Sequence, residues 1–497
     1  MSGPPPGPGP PPRTGPGSET LHRPGERPPG FPGGRDALVL AALAAVLFVA
    51  LKLNQWWSLG IHAELAEFET RLWSTLHGEL LARHRGEASF LAEHFSPILL
   101  LAVPLYAVLP SPLTLLVAHA LAAALAAVPL VLYARRRLGS RAAALALGAA
   151  FLVSRPLGDG LAYDVHMEIL YPGLFFAALL AFEARRWGWM AAALALAAGV
   201  KEDAAFGIAG VGLFVAASGY RARGLAIAAA AVAWLAAALG VVMPAFRGPG
   251  EAYPFVGYWS GYGDTLPGLL RGLLDPRRHA RVLLTAAKLG RGFDLLAAQL
   301  FLPLARPAAL AFLVLPPGFV LAASSNPWIS GARLYYGLLL LPFLFLATVL
   351  GIERVARGRP RWIVGLAVGV LVLQLANSHL LRQLEPDAWG RWERFRVASG
   401  LIATLPGEAT VSAQVNLVAL VPVRHDRYYL PDGLDRAGAA LFDTVGFQWP
   451  LGPGRNRALL DSLARSGAWE PAAAAHGFVL LRRRGAPRTA WSGPPPG

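Results

Sequence analysis

The sequence predicts an all-α polytopic membrane protein that carries a small extracytoplasmic α/β domain at its C-terminus. Three observations carry that expectation. The 497 residues are 55% hydrophobic and 15% charged, with a mean hydropathy of +0.45, too apolar for a soluble chain of this length. Apolar runs recur along most of the chain at close to the ~20 residues that span a bilayer. Toward the C-terminus that rhythm gives way to shorter, strand-like runs.

Residues 1–34 are rich in Pro and Gly and poor in large apolar side chains, so they read as a disordered cytoplasmic tail. The run at 37–53 lacks a small-residue cleavage site and reads as an anchor. A loop at 54–96 follows, dense in carboxylates and histidines. Residues 97–110 are short and proline-bounded, as in a re-entrant or interfacial segment. Further runs lie at 112–134, 141–155, 170–183, 187–200, 204–218, 225–245, 283–304, 308–324, 334–351 and 362–380. With the first they give about eleven spans, and a multi-span domain over 35–385. In 386–484, EATVSAQVNLV and HGFVLLRRR are strand-like while RNRALLDSLARSG is helical, the mark of a small α/β domain. Residues 485–497 read as a second disordered tail.

The net charge of +15 points to membrane orientation and not to nucleic acid, because the basic residues cluster beside spans. Arg135–Arg137, EARRWG at 183–188, YRARG at 220–224, Arg306 and ERVARGRPR at 353–361 belong on the cytoplasmic side, with the N-terminus. An odd span count then leaves the C-terminus outside. The loops at 54–96, 156–169, 201–203, 246–282 and 325–333 share that outer side. Lysine occurs only at 52, 201 and 288, and the arginine bias is that of a GC-rich bacterial genome, which places the chain in a plasma membrane. The absence of cysteine excludes disulfides and thiolate metal sites.

Polar side chains beside spans are expensive and concentrate at functional sites. In HAELAEFETRLW (62–73), Glu64 and Glu67 share a helical face with Trp73, and Glu69 sits on a neighbouring one. A carboxylate there can act as general base on a hydroxyl, or simply face solvent. In YDVHMEILYP (163–172), Asp164, His166 and Glu168 alternate, so an extended loop turns all three to one side. They are candidate ligands for a divalent cation, Mg²⁺ or Mn²⁺, or loop-positioning residues. Lys201, Glu202 and Asp203 interrupt two apolar runs. Lys201 suits a phosphate, and an internal ion pair in a tight turn is the plainer alternative. His94 in EHFSP, with Arg333 and Tyr336 in NPWISGARLYYG, completes the outward polar set.

The order W-S-x-x-H-G (73–78), HFSPILLLAVPLYAVLPSPLTLL (94–116), DVHMEIL (164–170), VKEDAA (200–205) and LYYGLLLLPFLFLA (334–347) resembles the bacterial membrane-protein family called domain of unknown function 2079, from about 54 to 485. That family typically has aspartates at the positions of Glu64 and Glu69, and often Phe at that of Val165. The family resembles in turn the C-type glycosyltransferases, which carry an acidic residue in the first extracytoplasmic loop and use polyprenyl-phosphate-linked sugars.

The resemblance implies a glycosyltransferase-C-like fold and sugar transfer at the outer face. Glu64, Glu69 or Asp164 would be the catalytic carboxylate, and His94, Lys201, Glu202, Asp203, Arg333 and Tyr336 would bind substrate. The alternatives are a transporter or flippase for a lipid-linked or polar solute, and a non-catalytic membrane protein.

Overall fold

The computed structural model describes residues 34–485 except 85, 86, 249, 386–388, 391 and 408, and except the side chain of Leu266. Apart from Gly34 and Gly485, the two expected tails lie outside the described residues.

Among the described residues four helices are long and apolar enough to cross a membrane: Gly34–Trp57, Pro112–Leu138, Arg221–Ala245 and Tyr336–Ala356, of 24, 27, 25 and 21 residues. At 1.5 Å per residue they reach about 30–40 Å, enough for a hydrocarbon layer of ~30 Å. Arg141–Leu152 and Arg155–Ala162 form a bent pair, turned by 40°, where Pro156 enters the first turn of the second segment. Trp187–Ala198, Ala204–Ala217, Pro307–Ala323 and Pro360–Ala376 are shorter apolar helices, as is Tyr171–Glu183. The short helix Pro97–Val108 covers about 18 Å, less than a crossing.

The expected span at 283–304 is not a continuous helix. Ala286–Ala297 is amphipathic through Lys288, Arg291 and Asp294, Leu300 and Phe301 turn through positive φ of 52° and 53°, and a single turn at Leu302–Ala305 follows. Eleven uninterrupted spans are therefore not what the chain forms.

The helices hold two polar layers apart. At one end Arg137 meets Glu353 at 2.5 Å and Glu183 at 3.4 Å, Arg306 meets the same Glu353 at 3.3 Å, and Arg141 meets Asp36 at 2.7 Å. These groups come from the loops that the sequence assigns to one side. At the other end lie Tyr163, Lys201 and Tyr336, one helix length away along Tyr171–Glu183 and Tyr336–Ala356.

The C-terminal region forms a five-stranded sheet of β1 (Val411–Ala413), β2 (Arg427–Tyr429), β3 (Ala439–Asp443), β4 (Trp469–Ala475) and β5 (Phe478–Arg483), in the order β2-β1-β3-β5-β4. β2, β1 and β3 are parallel, and β5 is antiparallel to β3 and β4. Every residue of β3 is buried, as parallel strands require.

This sheet shares one core with the first loop. Val411, Leu441 and Leu480 pack in the same cluster as Leu65, Phe68, Leu72 and Leu91. The join is fastened by Arg427 of β2, whose Nη2 donates to Glu69 Oε2 at 2.7 Å and to the carbonyl of Ala66 at 2.8 Å. Tyr106 donates to the other Glu69 oxygen at 3.1 Å.

Two outcomes test this packing. A Cβ on Gly224 would stand 2.3 Å from the amide nitrogen of Ala216, and one on Gly212 would stand 2.6 Å from that of Ala228, so the helices Ala204–Ala217 and Arg221–Ala237 meet through bare backbone. Gly224→Val is expected to cost about 1–3 kcal/mol or more, read as a lower thermal midpoint in detergent. Gly240→Ala, with nothing within 4 Å of the new Cβ, serves as control. Arg427→Met strands the buried Glu69 carboxylate, and a loss of about 3–5 kcal/mol is expected. The double variant Glu69→Leu/Arg427→Met should recover much of it, and equal midpoints for single and double variants would show the pair to be slack.

Candidate functional site

At the helix ends opposite Arg137 and Glu353 lies a cavity of about 1220 Å³, somewhat larger than the usual small-ligand site. Helix Glu64–Leu76 supplies Glu64, Glu67 and Arg71, the 163–168 loop supplies Tyr163, His166 and Glu168, and the turn between two helices supplies Lys201, Glu202 and Asp203. Beyond this polar end the walls are apolar, with Phe206, Leu235, Leu239, Leu269, Phe319 and Leu339. Phe447 and Trp449, from the loop after β3, close the top. Phe447 meets His62 edge-on, with centroids 4.9 Å apart.

The polar end is a relay of charges. Lys201 Nζ donates to Glu168 Oε1 at 3.0 Å, and Glu168 Oε2 pairs with His166 Nδ1 at 2.8 Å. His166 Nε2 then stands 3.7 Å from Glu64 Oε1, which accepts from the Tyr163 hydroxyl at 3.0 Å. The imidazole of His166 is stacked on Tyr335 at 3.3 Å, which fixes its plane. Two buried atoms of this relay have no hydrogen-bond partner: Glu64 Oε2 and His166 Nε2.

Protonation follows from these contacts. Burial works to raise the Glu64 pKa, but the nearby charge of His166, 3.7 Å away, and the Tyr163 hydroxyl outweigh it and hold the carboxyl below its usual range. Burial likewise opposes the charge on Glu168, and Lys201 with His166 overrides it to a strongly lowered value. His166 is raised, because Glu168 and Glu64 outweigh its burial. The site therefore favours an ionised Glu64 facing a protonated His166.

A second strand of contacts runs beside the first. Glu202 accepts from the Phe95 amide at 2.9 Å and the Tyr253 hydroxyl at 3.0 Å, and pairs with His94 Nδ1 at 2.9 Å. Its pKa falls to about 2 although burial works the other way. His94 is stacked on Phe255 at 4.4 Å, and burial with the charge of Lys201 lowers its pKa. Asp203 accepts from Tyr171 at 2.5 Å, and burial pushes it up to about 6.

The structure thus gathers Glu64, His94, His166, Glu168, Lys201, Glu202, Asp203 and Tyr336 around one space. Tyr336 stands there with its hydroxyl accepting from Tyr335 at 2.9 Å.

Three expected residues stand apart. Glu69 faces the sheet and is engaged by Arg427 and Tyr106. Arg333 lies over Trp328, with 5.8 Å from guanidinium carbon to ring centroid, and is not among the cavity walls. Asp164 is fully buried, its oxygens accepting from the amides of His62 at 2.6 Å and Leu65 at 3.3 Å. It holds the start of the first-loop helix, as a capping carboxylate does, and is not placed as a base.

The alternation of Asp164, His166 and Glu168 therefore does not converge into a cation site. Among the described residues no group of three or more His, Asp or Glu has metal-holding geometry. His166 and Glu168 are committed to each other and to Lys201, so these side chains do not fit a divalent cation.

Other wall residues were not singled out from the sequence. Arg247 donates through Nε to the Ala92 carbonyl at 2.8 Å, lies 5.2 Å from the Tyr253 ring centroid, and keeps a buried Nη2 without a partner. Arg71 pairs with Glu67 at 2.8 Å and lies 3.9 Å over Phe90. The available signals were the position of Arg247 just after an apolar run and the i, i+4 spacing of Glu67 and Arg71.

No curated protein matches the chain. Two solved structures of ArnT from Cupriavidus metallidurans align with it, each 16% identical in sequence. The one bound to undecaprenyl phosphate has a TM-score of 0.48 and covers 88% of this chain and 97% of that one. The apo state has a TM-score of 0.38, with 89% and 98% covered. Residues 39–480 match the family described as predicted membrane protein (DUF2079), and to that family of membrane proteins this chain belongs.

Proposed function

We propose that this protein is a membrane glycosyltransferase, moving a sugar from a polyprenyl-phosphate donor to a hydroxyl acceptor at the extracytoplasmic face of the plasma membrane. The observation that carries the reading is Glu64. Its Oε2 is buried beside the cavity without a partner, while His166 and Tyr163 favour its ionised form. That is the state a general base needs.

In the proposed step the acceptor oxygen attacks the anomeric carbon and gives its proton to Glu64. The bond from that carbon to the phosphate oxygen breaks, and polyprenyl phosphate leaves with the electron pair. A single displacement inverts the anomeric centre. Arg247, with a free Nη2, would receive the leaving phosphate, and Lys201 and a protonated His166, two cations sharing the Glu168 carboxylate, would add net positive charge. The apolar walls at Leu235, Leu239 and Phe319 offer a bed for the isoprenoid tail.

The reading is tested in membranes supplied with a labelled polyprenyl-phosphate sugar. Glu64→Gln is expected to insert normally and to lose transfer by about 10²–10⁴-fold. Full transfer by Glu64→Gln would remove Glu64 as base. Wild-type protein that moves a solute across vesicles, and never moves label, would make it a transporter.

Sidedness is tested separately. The outer end is assigned from the basic clusters around Arg137, Arg306 and Glu353 at the other end. A reporter fused after residue 485 is expected to be active only in the extracytoplasmic compartment, and cytoplasmic activity would reverse the assignment.

A further inference from the structure

Residues 267–297 carry many exposed basic and apolar side chains. In helix Ala286–Ala297 two basic side chains turn inward and two large apolar ones turn out, with Asp294 exposed beside them. Lys288 turns inward, donating to the carbonyls of Val282 at 2.8 Å and Ser324 at 3.0 Å, and Arg291 donates to that of Ala332 at 3.3 Å. Leu289 and Phe293, one turn apart, are 55% and 61% exposed. An apolar face turned out beside apolar spans is a face turned to lipid.

The helix before it is Pro276–Leu283. It is held firmly. Asp275 caps it by accepting from the Arg277 amide at 2.9 Å. His279 contacts the Leu273 carbonyl at 2.8 Å and the Tyr262 hydroxyl at 3.0 Å, and Arg278 donates to the Tyr262 carbonyl. Arg277 and Arg281, four apart, are exposed, as is Arg271 just upstream. Leu274, between these arginines, is 84% exposed, the arrangement of an interfacial helix with a basic face. The same stretch also walls the cavity through Leu269, Leu270 and Leu273.

We propose that Arg271, Arg277 and Arg281 form a headgroup site for anionic phospholipid beside the cavity wall of Leu269, Leu270 and Leu273. The occupant is a bilayer lipid bearing a phosphate ester, with its chains along Leu284, Leu289 and Phe293. Charge complementarity and the lipid-facing helix directly below select it over a soluble anion. The site stands on its own geometry and does not depend on the proposed sugar transfer.

The test uses the full chain in detergent, titrated with phosphatidylglycerol and with phosphatidylcholine of the same acyl chains and read by native mass spectrometry. Phosphatidylglycerol is expected to bind more tightly. Arg271→Gln/Arg277→Gln/Arg281→Gln is expected to lower its affinity by about 100-fold, from about five-fold per arginine, and to leave phosphatidylcholine unchanged.

A second measurement keeps the arginines in place. The chain has no cysteine, so a bimane on Leu274→Cys reports this position alone, and brominated phosphatidylglycerol is expected to quench it more than brominated phosphatidylcholine. Equal binding and quenching by the two lipids, or unchanged phosphatidylglycerol affinity in the triple variant, would overturn the site. Displacement of the lipid by millimolar inorganic phosphate would do the same, by showing a free-anion site.

Discussion

Lys52 is buried near the C-terminal end of the first membrane-length helix, and the site above depends on where its ammonium goes. It donates to the backbone carbonyls of Tyr163 and Asp164 and to the Gln55 side chain at 3.1 Å. A buried charge without partners would be severely destabilising, so the 163–164 backbone is fixed against the first span. Asp164 then accepts two amides at the start of the first-loop helix. Tyr163 reaches Glu64 and His166 reaches Glu168. One cation inside the membrane end thus orders two loops that lie about a hundred residues apart in the chain.

The relay solves an electrostatic problem. Seven acidic groups line the cavity, including Glu93 and Asp264, against three basic ones, Arg71, Lys201 and Arg247. Sharing Glu168 between Lys201 and His166 neutralises one carboxylate with two cations. Glu67 is taken by Arg71 and Glu202 by His94. Glu64, opposed only by a protonated His166, is left with a bare oxygen. Elsewhere among the helices some polar side chains are bonded, Thr348 donating to Gln299 at 2.8 Å and Gln374 to the Ala298 carbonyl at 3.1 Å, while both ring nitrogens of buried His119 have no partner among the described residues.

Much of this was legible in the sequence. Apolar runs announced ten of the helices, because burial in lipid and burial in a bundle ask for the same residues. The basic loops that were grouped by side meet at Arg137 and Glu353. What stayed hidden was partnership across the chain. Glu64 and Glu69 share one helix and point to different neighbours, and Arg427, which claims Glu69, lies 358 positions away. The alternation of Asp164, His166 and Glu168 was real, yet Asp164 is consumed by amides that no residue pattern displays. The run at 283–304 misled because Lys288 and Arg291 turn inward to carbonyls, so a stretch that looks like a span by composition is an amphipathic surface helix.

The core shared by the C-terminal sheet and the first loop has a mechanical consequence. Swinging the sheet away would bare Val411, Leu441 and Leu480 together with Leu65 and Leu72, and would break the Arg427–Glu69 pair. Phe447 and Trp449 therefore hang over the cavity from a fixed roof and not from a hinged lid. Traffic into the chamber must then pass beneath that roof.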